Sequence, residues 1–202
     1  MNLMYAKFIL IVSLMISFSG FSQNYVEEIK NYQAEQNAEF KDSTHSPLPK
    51  EDIESFEKLD FFEIDESYKV VAKFIKKKGK KFEMATSTDR KPIYQKVGEL
   101  HFVINAKTLQ LSVYKNVDLS KKEEYKDYLF IPFKDFTNGV ESYGGGRYLD
   151  INKPKKGERW GLDFNKCYNP YCAYSFKYSC PIPPEENHLE VEIRAGVKKY
   201  DH

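Results

Sequence analysis

The chain has 202 residues, of which 41% are hydrophobic and 30% charged, so it is long enough to form one domain with a substantial core. Its 31 Lys and Arg residues nearly balance its 30 Asp and Glu residues, which gives a formal net charge of +1. Because nucleic-acid binding depends on an excess of basic side chains that neutralise phosphates, this balance argues against a nucleic-acid partner.

The first 22 residues have the three-part pattern of a cleaved secretory signal peptide. A start with one positive charge, Lys7, precedes an apolar run over residues 8–18, and Gly20 and Ser22 supply the small residues of a cleavage site. This run is about half of the roughly 20 apolar residues that a spanning helix needs. We therefore predict a signal peptide at 1–22, a single β-rich domain at 23–202 without a stable membrane anchor, and a periplasmic or secreted location.

The beginning of the mature chain predicts helices. From Asn24 to Phe40 apolar residues recur at helical spacing between charged ones, which is typical of an amphipathic helix. Pro47 and Pro49 follow, and the residue before a proline is disfavoured in the α conformation, so the helix ends before them. A second short helix is predicted over Lys50–Phe56.

From residue 68 onward the hydrophobic pattern has a period of two, which predicts strands. We expect one hairpin around the turn at 105–108 and a second around 153–157, with Arg147–Asn152 paired to Arg159–Phe164. About eight short strands argue for a mainly β fold, an antiparallel barrel or roll with an N-terminal helix, and α+β is the alternative. The predicted strands are Tyr68–Ile75, Lys80–Ser87, Glu99–Ile104, Leu109–Tyr114, Tyr128–Phe133, Arg147–Asn152, Arg159–Phe164 and Leu189–Ile193.

Residues 165–188, here called the Pro/Cys-rich loop, contain four prolines, three cysteines and little periodicity. Loops longer than about 12–15 residues in a compact domain are usually functional or disordered, and the many aromatic side chains argue against disorder. Thiols of exported proteins tend to pair. We predict a disulfide between Cys172 and Cys180 that fastens the loop to the sheet, with Cys167 as the odd thiol.

Two alternatives for these cysteines remain open. The first is a metal site, because the loop contains four residues of zinc-ligand type, but their spacing lacks the tight cysteine pairs of structural zinc sites. No metal or other cofactor is therefore predicted. The second is a cysteine nucleophile, for which His188 would be the base. The four residues are Cys167, Cys172, Cys180 and His188.

Polar residues around the second hairpin form the candidate site. Asp150 and Asp163 would face each other across this hairpin, and Arg147 offers a planar fork that suits pairing with Asp163. Asn165 and Asn187 lie at the two ends of the loop. We predict that Arg147, Asp163, Asn165 and Asn187 meet beneath the loop, either as ligand-binding residues or as a hydrogen-bond network that anchors it, and we favour the anchoring role.

A set of motifs resembles the bacterial and archaeal family called domain of unknown function 1684. The resemblance covers nearly all of the mature chain and implies no reaction, ligand or catalytic residue, because the family has none assigned. Cys167 stands where a small residue is expected, which favours Cys172 and Cys180 as the pair. In chain order the motifs are Tyr143–Asp150 (YGGGRYLD), Leu162–Asn165 (LDFN), Tyr168–Tyr174 (YNPYCAY), Cys180–Asn187 (CPIPPEEN) and Arg194–Gly196 (RAG).

These observations predict an uncharacterised exported protein, most simply a non-catalytic extracytoplasmic β domain that binds an unidentified small-molecule or glycan ligand near the loop. One alternative is a hydrolase of unknown class that uses His188 with Asp163 or a cysteine. The other is a purely structural or interaction protein. Whether the protein is an enzyme stays open. As the function of the whole domain, ligand binding is favoured over the two alternatives.

Overall fold

The computed structural model describes residues 23–200, so the predicted signal peptide lies outside the described residues. The first element, α1, covers residues 23–41 and confirms the predicted helix. Tyr25, Ile29 and Phe40 on one face of α1 are buried, as expected for an amphipathic helix that packs on a core. The second helix, α2, is shorter than predicted and covers Lys50–Ile53. No helix within this range is long and apolar enough to cross a membrane.

Seven strands build one antiparallel sheet, which confirms the predicted mainly β fold. The sheet has the order β6-β5-β4-β3-β1-β7, with β2 paired to β3. It curls into a nearly closed barrel, because Tyr148 of β6 and Tyr168, just after β7, exchange two backbone hydrogen bonds of 2.8 and 3.0 Å. The strands are β1 (Lys69–Lys76), β2 (Lys81–Glu83), β3 (Ile93–Ile104), β4 (Lys107–Asn116), β5 (Tyr128–Phe133), β6 (Arg147–Asn152) and β7 (Trp160–Asp163).

The hairpin of β3 and β4 forms as predicted. Its tight turn consists of Asn105 and Ala106, both with positive φ (51° and 60°), the conformation whose twist matches that of the flanking strands. Leu100 pairs with Leu111 in the register, and both side chains are fully buried. Strand β3 begins at residue 93, six residues before the predicted start.

The predicted hairpin of β6 and β7 is wrong. Strand β6 pairs with β5 through six residue pairs, whereas β7 pairs with β1. The two strands therefore form opposite edges of the sheet, and Asp150 on β6 does not face Asp163 on β7. Alternation of apolar and polar residues identifies a strand and its buried face, but it does not identify the neighbour to which the strand is paired.

The predicted strand Leu189–Ile193 is also wrong, because this segment forms no strand. The predicted alternation of buried and exposed side chains is nevertheless present. Leu189, Val191 and Ile193 are buried. Their backbone forms isolated hydrogen bonds instead of a ladder, such as the Leu189 N–H to the Lys134 carbonyl at 2.8 Å. This segment crosses the barrel mouth beside the chain that leaves β5, so its side chains join the core without a strand partner.

The interior of the barrel is filled by apolar side chains. Alternate residues of β3, β4, β5 and β6 point inward and pack together with Phe164 and Ile193 from outside the strands. In a small barrel such packing leaves a core and no internal channel. A binding site of this protein must therefore lie on the outer face of the sheet. The inward residues include Leu100, Phe102, Leu111, Val113, Leu129, Ile131, Phe133 and Leu149.

Arg147, at the start of β6, ties the C-terminal segment to the barrel. It is fully buried, and its guanidinium donates to the carbonyls of Ile193 (2.7 Å) and Ala195 (2.6 Å) and to Asp135 Oδ2 (2.8 Å). Buried carbonyls need partners, and this segment has no strand ladder to provide them. The prediction that Arg147 pairs with Asp163 is wrong, because Asp135 is its partner.

Asp135 and Gly146 make this arrangement possible. Asp135 Oδ1 accepts hydrogen bonds from the N–H and the hydroxyl of Thr137 (2.9 and 2.6 Å), so the buried carboxylate has further donors besides Arg147. Gly146 has a φ of +95°, and a Cβ atom at this position would lie 2.6 Å from the Phe133 carbonyl oxygen. A glycine is therefore required immediately before Arg147.

We expect Arg147→Ala to lower the free energy of unfolding by about 3–5 kcal/mol, because it leaves the buried Asp135 carboxylate without its cation. Urea denaturation measures this loss. The matched control is Arg194→Ala, since Arg194 is an exposed arginine paired with Glu141, and such surface pairs contribute about 1 kcal/mol or less. A wild-type midpoint for Arg147→Ala would contradict the anchoring role.

Candidate functional site

A cavity of about 630 Å³ lies on the outer face of the barrel, beneath α1 and the Pro/Cys-rich loop. Its volume falls within the range of small-molecule sites, about 300–1,000 Å³. Tyrosine dominates the lining, and we call this space the tyrosine cavity. Its lining includes the aromatic residues Tyr32, Tyr94, Tyr128, Phe130, Tyr148, Tyr168, Tyr171 and Tyr178, and the charged residues Glu39, Asp150 and Lys166.

The floor of the tyrosine cavity comes from the outward-facing residues of β5 and β6. Successive side chains of a strand point to opposite faces, so Leu129 and Leu149 enter the barrel core while Phe130, Tyr148 and Asp150 face outward. Phe130 and Asp150 are directly opposite each other in the register of the two strands. The alternation that builds the core therefore also aligns an aromatic and acidic surface on the other face.

Helix α1 and the Pro/Cys-rich loop form the walls. Tyr32, Gln36 and Glu39 lie three or four residues apart on α1 and therefore share one face, which borders the cavity. The Tyr32 hydroxyl donates to the Lys166 carbonyl (2.9 Å), and the Tyr171 hydroxyl donates to Glu39 Oε1 (3.1 Å). These two contacts hold the helix against the loop and keep the cavity open between them.

Asp150 is the polar group of the floor. Its Oδ1 accepts from the Tyr128 hydroxyl (2.7 Å) and its Oδ2 from the Tyr168 hydroxyl (2.6 Å). The carboxylate is open to the cavity, yet protein surrounds it on most sides. This burial raises the pKa of Asp150, although the two tyrosine hydrogen bonds act in the opposite direction. A carboxyl group with a raised pKa in a cleft is typical of functional sites.

Cys172 and Cys180 lie beside each other at one edge of the cavity, which Cys180 lines. All cysteines within residues 23–200 are free thiols in the structure. The Cys172 N–H donates to Cys180 Sγ at 3.2 Å. A hydrogen bond between the two thiols lowers the pKa of Cys172 and raises the pKa of Cys180. The disulfide between them stays a prediction.

Cys167 and His188 are placed elsewhere. Cys167 lies in the barrel core, where Sγ donates to the Ala195 carbonyl (3.3 Å) and burial raises the pKa of the thiol to about 11. His188 is exposed, with Nε2 3.3 Å from the Pro183 carbonyl oxygen. The four residues of the zinc alternative are not brought together, and no metal-binding group of three or more such side chains occurs within residues 23–200.

Asp163 and Asn165 lie beside the first turn of α1, outside the cavity. Asp163 Oδ1 accepts from the Tyr25 hydroxyl (2.9 Å) and from the Asn165 N–H (3.1 Å). The Asn165 side chain accepts from the Asp65 N–H (3.1 Å) and donates to the Asp65 carbonyl (2.8 Å). The two residues thus fasten α1, and the segment before β1, to the end of β7.

Asn187 fills a gap in the sheet. Strands β4 and β5 share one register pair, Tyr114 with Phe130. The fully buried Asn187 side chain accepts from the Ser112 N–H (2.7 Å) and donates to the carbonyls of Ser112 (2.9 Å) and Pro132 (2.8 Å). Its amide therefore takes the place of a peptide group between the strands.

The structure does not bring the four predicted ligand residues together. Arg147 holds the C-terminal segment, Asp163 and Asn165 hold α1, and Asn187 joins two strands. Of the residues of the tyrosine cavity, only Asp150 and Cys180 were singled out from the sequence, and Asp150 was assigned to a pair with Asp163 that does not form. One signal was present, because large aromatic residues on the outward face of β5 and β6 indicate that another part of the chain covers this face.

Comparison with known families and structures adds two findings. The family model described as protein of unknown function (DUF1684) matches residues 54–198. The solution NMR structure of an uncharacterised protein from Haloarcula marismortui is similar, with 32% identity and a TM-score of 0.66 over 89% of this chain and 96% of that chain. No curated protein gives a significant match. The residues that the family model matches include the floor and the loop wall of the tyrosine cavity but not α1.

We expect Asp150→Asn to raise the urea midpoint at neutral pH. Burial raises the pKa of Asp150 in the folded protein above its value in the unfolded chain. The stability that the protonated carboxyl group contributes is therefore complete below the pKa of the unfolded chain. It is lost as the pH rises through the pKa of the folded protein. Asparagine is neutral throughout and avoids this loss. The difference between the two proteins should therefore shrink towards about pH 3.9, the ordinary pKa of aspartate.

The control for this measurement is Asp60→Asn. Asp60 is an exposed aspartate whose Oδ2 lies 3.1 Å from Lys198 Nζ, so its substitution should not stabilise the protein at neutral pH. The urea midpoints of Asp150→Asn and the wild type are compared at neutral pH and at about pH 3.9. The same difference at both pH values would show that the fold does not disfavour the charge of Asp150.

Proposed function

The chain belongs to the DUF1684 family of proteins of unknown function, and we propose that it is a non-catalytic extracytoplasmic β domain that binds a small molecule or a glycan unit in the tyrosine cavity. The observation that carries this proposal is the cavity itself. Its volume of about 630 Å³, its aromatic lining and its few convergent polar groups are the combination typical of ligand sites.

The fold supports this location over the one expected from the sequence. Arg147 and Asn187 are fully buried, and their hydrogen bonds go to backbone groups that the sheet leaves unpaired. A ligand at either residue would have to displace these bonds. The tyrosine cavity can be filled without disturbing the barrel, because its floor lies on the outer face of the sheet.

The geometry does not favour the hydrolase alternative. His188 is exposed and contacts the Pro183 carbonyl, whereas Asp163 is bonded to Tyr25 beside α1. A general base must lie within hydrogen-bond reach of the group it activates, and these two residues contact different parts of the fold. We therefore propose binding as the function.

Export is the second part of the proposal. It rests on the three-part pattern of residues 1–22, with the tyrosine cavity then facing the envelope or the medium. In this compartment Cys172 and Cys180 would form a disulfide, each thiol losing a proton and the pair giving two electrons to an envelope thiol oxidant. The contact between their sulfur atoms and the buried position of Cys167 support this pairing over the others.

A thermal-shift screen of the purified protein against sugars, amines and lipid headgroups tests the binding function. A compound at about 100 times its Kd stabilises the native state by about 2.7 kcal/mol, which corresponds to a rise in Tm of roughly 5–10 °C. Gln36→Trp, which fills the cavity from α1, should abolish the shift. Ala34→Trp, on the exposed side of the same helix, should preserve it.

Two results would count against the binding function. One is the absence of a shift with every class of compound. The other is a shift of undiminished size in Gln36→Trp, because the compound would then bind outside the tyrosine cavity.

Mass spectrometry of the protein isolated from its native envelope tests export. We expect an intact mass that corresponds to a start at or near Gln23, because the signal peptidase site follows Ser22. A peptide map without reductant should show Cys172 linked to Cys180 and Cys167 alkylated. A mature protein that retains residues 1–22 would contradict export, and alkylation of both Cys172 and Cys180 in the oxidised preparation would contradict the disulfide.

A further inference from the structure

Five of the seven tyrosine hydroxyl groups around the tyrosine cavity have already used their protons. A tyrosine hydroxyl has one proton to donate, and five of these hydroxyls donate it to acceptors of the protein. Towards a ligand, their oxygen atoms can therefore act only as acceptors. The five bonds run from Tyr32 to the Lys166 carbonyl, from Tyr128 and Tyr168 to Asp150, from Tyr148 to the Pro181 carbonyl and from Tyr171 to Glu39.

The carboxylates of the lining add further acceptors. A carboxylate has about four lone-pair sites, and Asp150 accepts one hydrogen bond at each oxygen, so it keeps the capacity for two more. Glu39 lies on the opposite wall, on α1. Together the two carboxylates bring negative charge to the two sides of a space whose hydroxyl groups offer few protons.

The positive charges near the cavity are used elsewhere. Lys166 belongs to the lining, but its Nζ lies 2.6 Å from Glu28 Oε1. Arg90 donates to the Ser179 carbonyl at the rim (2.6 Å). Within residues 23–200 Asp150 forms no ion pair, and its hydrogen bonds come from two tyrosine hydroxyls. The floor carboxylate thus lacks a counter-ion in the protein.

The aromatic rings also suit a cationic ligand. A cation is attracted to the face of a tyrosine ring within about 6 Å, and cages of aromatic rings bind quaternary ammonium groups. The rings of Phe130 and Tyr148 are 4.7 Å apart at 76°, and those of Tyr148 and Tyr168 are 5.8 Å apart at 90°. These edge-to-face contacts pack the three rings into one aromatic floor on which a cation can lie.

We infer that the ligand of the tyrosine cavity is an organic cation, an amine or quaternary ammonium compound whose charge lies against Asp150 and whose apolar part contacts the tyrosine rings. This inference rests on the proposed binding function and narrows its ligand class. A neutral sugar would bring no positive charge to balance that of the Asp150 carboxylate. An anion would meet the carboxylates of Asp150 and Glu39.

Isothermal titration calorimetry of the purified protein tests the ligand class. The probes are choline, its uncharged carbon isostere neopentyl carbinol, benzylamine, spermidine and N-acetylglucosamine. We expect a cationic probe to bind, and choline to bind at least about tenfold more tightly than its isostere, because the two differ in charge and scarcely in shape.

Three variants test whether Asp150 supplies the negative charge that binds the cation. Asp150→Asn should weaken the binding of the cationic probe at least about tenfold, because it removes the counter-ion. Asp150→Glu keeps the charge and should keep most of the affinity. Asp60→Asn removes one negative charge from an exposed position away from the cavity and should bind like the wild type. Circular dichroism establishes that each variant is folded.

The outcomes separate this inference from the proposed function. Binding of N-acetylglucosamine without binding of any cation would overturn the inference and leave the binding function intact. Equal affinity for choline and its isostere, or unchanged cation binding in folded Asp150→Asn, would also overturn it. If Asp150→Asn does not fold, the comparison of the two isosteres still decides. Absence of binding for every probe and for every compound of the thermal-shift screen would overturn both.

Discussion

The buried pair of Arg147 and Asp135 is the interaction on which the attachment of the C-terminal segment to the barrel depends. The chain after residue 188 crosses the barrel without becoming a strand, so its carbonyl groups enter the interior without ladder partners. A single guanidinium supplies donors to three of them, at Ile193, Ala195 and Val197, and Asp135 supplies the compensating charge. Burying such a pair costs desolvation energy, and here its hydrogen bonds take the place of those that a strand ladder would provide.

The same principle recurs at the other irregular points of the barrel. Asn187 bridges β4 and β5 where the ladder has one pair, and Asn165 bonds to both backbone groups of Asp65. These residues belong to the motifs that carry the family resemblance, Arg147 to YGGGRYLD, Asn165 to LDFN and Asn187 to CPIPPEEN. These three motif residues are therefore explained by the backbone groups that they satisfy.

The positions of β5 and β6 could be predicted to the residue, because Tyr128–Phe133 and Arg147–Asn152 alternate cleanly and are bounded by turns. Their partners could not, since pairing is decided by contacts between segments far apart in the chain, and the pattern of residues 189–193 is the same whether or not a strand lies beside it. The site was missed for a related reason. Tyr148 and Asp150 look like the solvated face of a strand until α1 and the loop cover them.

The tyrosine cavity is assembled from parts with different constraints. Its floor consists of outward-facing side chains of β5 and β6, and the residues that alternate with them along each strand belong to the barrel core. The wall formed by Tyr32, Gln36 and Glu39 lies on α1, before the residues 54–198 that the family model matches. Substitutions on the cavity side of α1 can therefore change the compounds that the cavity accepts without reaching the barrel core on the other side of the sheet.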